Sequence, residues 1–176
     1  MLSSPLLIAL AGLPGTGKSV LAGRLAQALE AAVIDKDAVR AALFPPQEIE
    51  YSRAQDDLCF EAVLKAAGWM LRRGRHVILD GRTFAQRDQV ARVLRFAREG
   101  GFELRFIECV CAEELVQRRL AEDARSGAHP ARNRNFEMYL RLKAAAEPIQ
   151  LPHLVLDTAQ DLETCLAQAL AYLQGR

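Results

Sequence analysis

Short apolar runs alternate with stretches of helical periodicity along the chain. Leu6–Ala11 is continuously apolar and of strand length, as expected for a parallel strand covered on both faces. Behind it, Val20, Leu21, Leu25, Ala28 and Leu29 recur at helical spacing. Residues 32–35 form a second short run that ends in acid, and a helix over 38–44 stops at Pro45-Pro46. A long helix is expected over 53–73, with Phe60, Val63, Leu64, Ala67 and Met70 on one face and Gly74 beyond its end. Val77–Asp80 reads as a third strand. An amphipathic helix through Val90, Val93, Leu94 and Ala97 follows, ended by Gly100-Gly101. A strand over 102–110 and a helix over 115–124 come next. Residues 125–134 are polar and rich in breakers, and helical periodicity then resumes through Leu142. A fifth strand at 154–156 and a closing helix through Leu162, Cys165, Leu166, Ala169 and Leu173 complete the alternation. This pattern predicts an α/β fold around a parallel sheet, with no internal repeat and no dividing linker.

The junction of the first strand and first helix carries the most specific chemistry. Gly12-Leu13-Pro14-Gly15-Thr16-Gly17-Lys18-Ser19 satisfies G-x-x-x-x-G-K-[ST]. Glycines let successive backbone N–H groups face an anion, Lys18 supplies a point charge for β/γ-phosphates, and the Ser19 hydroxyl is a ligand for Mg²⁺. The positive end of the helix dipole points the same way. A nucleoside triphosphate is the expected ligand.

Composition narrows the setting. The 176 residues, 51% hydrophobic and 26% charged, predict one globular domain spanning 1–176. A formal net charge of +1 gives no global attraction to nucleic acid or membrane. Cys59, Cys109, Cys111 and Cys165 fit no C-x-x-C metal spacing. No signal peptide and no membrane-length apolar run is seen, so a cytoplasmic protein without a membrane partner is expected.

Ligands of open parallel sheets sit at the carboxyl ends of the strands. Three predicted strands end near acids: Asp35/Asp37, Asp80 and Asp157. Asp157 reads as a solvated strand-end or capping carboxylate. Asp80, closing an aliphatic strand that can neighbour the phosphate loop, suits a Mg²⁺ ligand, held directly or through water. No Glu follows Asp80 and no N-K-x-D occurs, which sets aside motor-type and AAA-type ATPases and GTPases; the short chain also argues against the AAA type.

Asp37 and Arg40 share a helix face at i, i+3. They fit a base for an attacking hydroxyl with an anion clamp. They fit equally an N-capping acid with a surface ion pair. Asp35 competes for the base role. The acceptor pocket is expected between residues 37 and 60, where Phe44, Tyr51, Arg53 and Gln55 are available.

Between Arg118 and Lys143 stand seven basic residues against three acidic ones, with breakers at Gly127 and Pro130. A lid over about 118–143 that brings an Arg to the phosphates is the favoured reading. A solvated helix pair and a nucleic-acid patch are the others; the aromatics there are few.

With these residues on the page, the chain resembles the small P-loop kinases. Within them it is most similar to the group of predicted ATP-dependent kinases, polynucleotide 5′-hydroxyl kinases, gluconate-type sugar kinases and zeta-type toxins. Four motifs carry the resemblance: Gly12–Ser19, Asp37-Ala38-Val39-Arg40, Val77–Asp80, and a lid around Arg118–Arg134 followed by Tyr139 and Glu147-Pro148. It implies a three-layer P-loop fold whose five-stranded parallel sheet has the order 2-3-1-4-5. It also implies Asp37 as general base, Arg40 as an acceptor contact, and Arg118 and Arg125 as lid arginines, with Arg119 an alternative to Arg118. The chain departs from many relatives at Asp80-Gly81-Arg82-Thr83, which leaves the roles of Arg82 and Thr83 open.

The combined expectation is an ATP- and Mg²⁺-dependent phosphotransferase. Gly12, Leu13, Pro14, Gly15, Thr16, Gly17, Lys18, Ser19 and Val20 would bind the nucleotide, and Ser19 and Asp80 the metal. The acceptor would be a hydroxyl on a small molecule that can be anionic. A nucleic-acid 5′-hydroxyl kinase and a nucleotide-binding regulatory module without turnover are the alternatives.

Overall fold

The computed structural model describes residues 4–126 and 135–175. Its elements run β1 (Leu6–Ala11), α1 (Lys18–Leu29), β2 (Ala32–Asp35), α2 (Lys36–Leu43), α3 (Arg53–Leu71), β3 (Val77–Asp80), α4 (Arg87–Gly100), β4 (Glu103–Val110), α5 (Glu113–Ser126), α6 (Phe136–Ala144), β5 (Leu154–Asp157) and α7 (Leu162–Leu173). One turn of 3₁₀ helix, Pro46–Glu48, lies between α2 and α3. The five strands form a parallel sheet in the order β2-β3-β1-β4-β5, with helices on both faces. This is the sheet order that the resemblance implied.

Every residue of β1 is buried, because the strand lies in the middle of the sheet and is covered twice. Side chains alternate across a strand, so β1 feeds two cores. Leu7, Ala9 and Ala11 pack with Phe60, Val63 and Ala67 of α3 and with Val90 and Val93 of α4. Leu6, Ile8 and Leu10 pack on the opposite face with Leu21 and Leu25 of α1 and with Leu166 and Ala169 of α7. A third, smaller cluster joins Val116 and Leu120 of α5 to Tyr139 of α6, with Leu13 of the phosphate loop against it. That cluster seats the α5–α6 pair at the loop. Gly127, Pro130, Arg132 and Arg134, proposed as hinges or lid charges, lie outside the described residues. Among the described residues, no helix is long and apolar enough to cross a membrane.

Helix ends follow local capping chemistry. The second helix begins at Lys36, ahead of the expected start, because the Asp35 carboxylate accepts the Asp37 N–H at 2.8 Å and makes Asp35 the N-cap. The last helix is capped by Asp161, which accepts from Thr164 N–H. Asp157 instead accepts from Ala159 N–H within the turn after β5.

The carboxyl edge of β2 and β3 is crowded. Register places Asp35 beside Asp80 across the strand pair. Burial, and then the charge of Asp80 and Asp37, raises the Asp35 pKa, while its hydrogen bond to Asp37 N–H works against the rise. The turn after β3 passes so close that a Cβ on Gly81 would lie 2.4 Å from Asp35 Oδ1 and 2.9 Å from Lys36 N. Gly81 also has φ +78°, a left-handed conformation that glycine adopts without strain.

Gly74 has nearly the same φ, +80°, but open space where its Cβ would stand. Gly74→Ala therefore carries conformational strain alone, about 1 kcal/mol. Gly81→Ala must also displace the α2 cap and is expected to cost about 3 kcal/mol. Equal losses in urea unfolding would contradict the close approach. At Asp35, Asn keeps the cap and removes a charge, whereas Ala loses the cap at about 1 kcal/mol. A raised folded pKa means that the ionised Asp35 destabilises the fold once pH exceeds the unfolded value. Asp35→Asn should thus match or exceed wild type at neutral pH, with the gain developing as pH rises through the carboxylate range and then levelling. Thermal melts across pH measure this.

Candidate active site

The loop between β1 and α1 is held by its backbone on two sides. Gly12 N–H donates to Thr83 C=O at 2.9 Å, and a Cβ on Gly12 would lie 2.4 Å from Cys109 C=O. Only glycine lets the chain leave β1 between those neighbours. Thr16 Oγ1 donates to Leu13 C=O at 2.8 Å, and Lys18 Nζ donates to Gly12 C=O and Leu13 C=O, both at 2.8 Å. The buried lysine thus crosses its own loop, and its position is fixed by two carbonyls.

Two clefts open on either side of this loop, and Ser19 lines both. The first, about 240 Å³, is lined by Pro14, Lys18, Ser19, Asp37, Arg40 and Asp80, bringing the sequence-predicted groups together. The second is lined by Gly15, Gly17, Val20, Arg119, Thr158 and Gln160. Gly12, Leu13 and Thr16 face a third space on the inner side of the loop, towards Cys109 and Tyr139.

In the first cleft Asp80 is buried, and its Oδ1 has no hydrogen-bond partner. A buried carboxylate oxygen of this kind is costly unless a cation completes it. Ser19 on the same cleft adds a hydroxyl, so the donor set is oxygen only, as Mg²⁺ prefers. Among the described residues no cluster of three or more His, Cys, Asp or Glu gathers.

Asp37 and Arg40 form the expected pair at 2.8 Å, one turn apart on α2. The pair is not an ordinary surface bridge, because Arg40 is buried. Arg40 also pairs with Asp56 from the first turn of α3 and lies over the Tyr51 ring at 5.0 Å. Lys36 lies 2.6 Å from Asp56 and 3.4 Å from Asp37. Burial lowers the Lys36 pKa, and the Asp37 charge opposes that fall. Arg82 bonds Asp57 at 3.2 Å, and its guanidinium lies 4.4 Å from the Phe60 ring centre. Lys36, Asp56 and the cleft-lining position of Arg82 escaped the sequence reading.

Other expectations are placed differently. Tyr51 lines the cleft, but Arg53 is exposed and pairs with Asp88 and Asp57. Gln55 bonds Glu50 N–H and Glu48 C=O, bracing the segment ahead of α3. Phe44 caps α2. Of the arginines on α5, Arg118 is exposed, and exposed Arg125 donates to its own helix at Ala121 C=O. Arg119 is the one that reaches the loop. It donates to Thr158 Oγ1 at 3.0 Å and to Thr158 C=O at 2.8 Å, and Thr158 Oγ1 lies 2.9 Å from Thr16 C=O. The helix turns Arg118 about 100° away from that contact. Cys109, whose thiol pKa burial pushes up to about 12, offers no nucleophile here.

Known structures share this fold. A candidate kinase from Chloroflexus aurantiacus J-10-fl superposes with TM-score 0.76 at 22% identity, over 96% of this chain and 98% of its own. APS kinase CysC of Mycobacterium tuberculosis, solved with AMPPNP and APS, gives 0.73 at 18%, over 98% and 99%. A gluconokinase from Sinorhizobium meliloti 1021 gives 0.69 at 20%, over 97% and 92%. No curated protein sequence matches the chain. The AAA domain family matches residues 7–165, and Gly81 follows the strand-end acid where motor-type ATPases carry Glu. With that match spanning nearly all its length, the chain belongs to the AAA domain family.

Proposed function

We propose that the protein is an ATP-dependent kinase that moves the γ-phosphoryl group of ATP to a hydroxyl of a small acceptor. The observation that carries this reading is the single cleft shared by Lys18, Ser19, Asp80, Asp37 and Arg40. Phosphoryl transfer needs little covalent help from a protein and depends on positioning and charge, which this set of residues supplies. The nucleoside would occupy the second cleft, beside Arg119 and Thr158, and the triphosphate would run along the loop past Ser19. Lys18 and the loop N–H groups would hold the β- and γ-phosphates. Ser19 and Asp80 would hold Mg²⁺, which when bound neutralises charge on the phosphate oxygens. Asp37 takes the acceptor proton as the bond from acceptor oxygen to phosphorus forms and the bond to the ADP oxygen breaks. Arg40, fixed between Asp37 and Asp56, orients the acceptor. Arg119 already lies against the loop, whereas Arg118 and Arg125 would need a movement of α5.

A small acceptor is supported by the modest cleft, below the usual range for ligand sites of about 300–1,000 Å³. The names of the APS kinase and gluconokinase neighbours point the same way.

The direct experiment is transfer of labelled γ-phosphate from ATP with Mg²⁺ to a panel of hydroxyl compounds. Asp37→Asn is expected to lower the transfer rate by about 10²–10⁴ while leaving nucleotide affinity nearly intact. Wild-type speed in that variant removes Asp37 as the base, and nucleotide binding without transfer to any acceptor favours a regulatory module. Arg119→Met should weaken ADP binding about tenfold, as expected for one charge-assisted hydrogen bond. Titration of Arg118→Met alongside it should show the smaller loss.

A further inference from the structure

The acceptor side of the first cleft holds more positive charge than the Asp37–Arg40 pair accounts for. Three cations line it: Lys36 at 6% exposure, Arg40 at 2% and Arg82 at 7%. They come from two separate segments, Lys36 and Arg40 from α2 after β2 and Arg82 from the turn after β3, so the carboxyl edge of the sheet gathers them. Across the whole cleft, Lys18 makes the lining cations four, against three acids, Asp37, Asp56 and Asp80. Asp56 divides a single oxygen, Oδ1, between Lys36 and Arg40. Asp57, the partner of Arg82, is also shared with Arg92 and is 38% exposed, so water screens that pair. Arg40 Nε and Arg82 Nε are both buried with no hydrogen-bond partner. The ion pairs to Asp37, Asp56 and Asp57 offset part of the cost of burying these cations, but the two Nε donors remain unmet. An arrangement of this kind is what an oxyanion would complete.

We propose that the acceptor is a small hydroxylated compound that carries an oxyanion, a carboxylate or a phosphate, and that Lys36 and Arg82 together with Arg40 recognise that group. This rests on the kinase reading and names its substrate class. Arg40 lies one helical turn from Asp37, so the oxyanion is bound close to the hydroxyl that Asp37 deprotonates. Tyr51, Met138 and Leu142 provide the apolar part of the wall, which suits a short carbon chain. Lys36 and Arg82 are specificity-determining residues here, since a neutral acceptor offers them hydroxyl oxygens but no charge to neutralise.

The test titrates three matched compounds, glycerol, glycerate and glycerol 3-phosphate, into protein saturated with Mg·ADP, using calorimetry. At least one of the two anions should bind roughly tenfold or more tightly than glycerol, and which one does separates carboxylate from phosphate recognition. Lys36→Met and Arg82→Met should each remove most of that preference, while Arg82→Lys should keep part of it; ADP affinity and melting temperature identify any variant that is merely unfolded. Equal binding of glycerol and the anions, failure of both anions to bind, or an anion preference that survives both Met substitutions overturns the proposal. Labelled-phosphate transfer separates the two readings. Anion binding that depends on Lys36 and Arg82 but leads to no transfer leaves the site standing and removes the kinase. Transfer to neutral polyols that Arg82→Met does not slow removes the anion site and leaves the kinase.

Discussion

The backbone at Gly12 is the constraint on which the arrangement depends. There the central strand ends, its N–H bonds the turn after β3, and its Cα lies too close to the Cys109 carbonyl to carry a side chain. Three strands of the sheet thus meet the phosphate loop at one residue. A loop fixed in this way presents its N–H groups without paying ordering entropy when an anion arrives. The segment that bonds Gly12 also carries Asp80, Gly81 and Arg82, so the loop and one wall of the first cleft are positioned by the same contact.

Charge near the loop is arranged in two layers. Buried groups, Lys18, Lys36, Arg40, Arg82 and Asp80, sit against the sheet edge, and the α3 carboxylates that pair with Lys36, Arg40 and Arg82, namely Asp56 and Asp57, are more exposed. Pairs of that kind are worth little where water reaches them and more where it does not. Excluding water from the cleft would therefore strengthen every interaction of the inner layer at once. Asp35 sits at the border of these layers and caps α2. Its rival for the base position, Asp37, is the one that lines the cleft.

A second connection runs from α5 to the loop through β5. Arg119 binds both the hydroxyl and the carbonyl of Thr158, and that hydroxyl reaches the Thr16 carbonyl. Val116 and Leu120 on the same helix pack with Leu13. Any shift of α5 is therefore felt by the phosphate loop through both an apolar contact and a hydrogen-bond chain. This gives a physical route by which the α5–α6 pair and an occupied nucleotide cleft would influence each other.

Much of this protein was legible along the chain. The strands and most helices follow from local periodicity, because a doubly covered strand needs an unbroken apolar run and an amphipathic helix repeats its apolar face. The phosphate loop was legible for a similar reason: its chemistry is built from neighbours in sequence, as is the Asp37–Arg40 pair. The sequence also carried the sheet order, but only through resemblance. What tertiary structure alone decided is which distant side chains share a cleft. Nothing in spacing links Lys36 to Asp56, Arg82 to Phe60, or Arg119 to Thr158, since each pair is joined by the packing of separate elements around the sheet. Which of Arg118 and Arg119 faces the loop likewise depended on the rotation of α5 against Leu13. Local patterns encode elements and contiguous motifs, whereas the balance of charge in a buried site arises only when those elements are packed against one another.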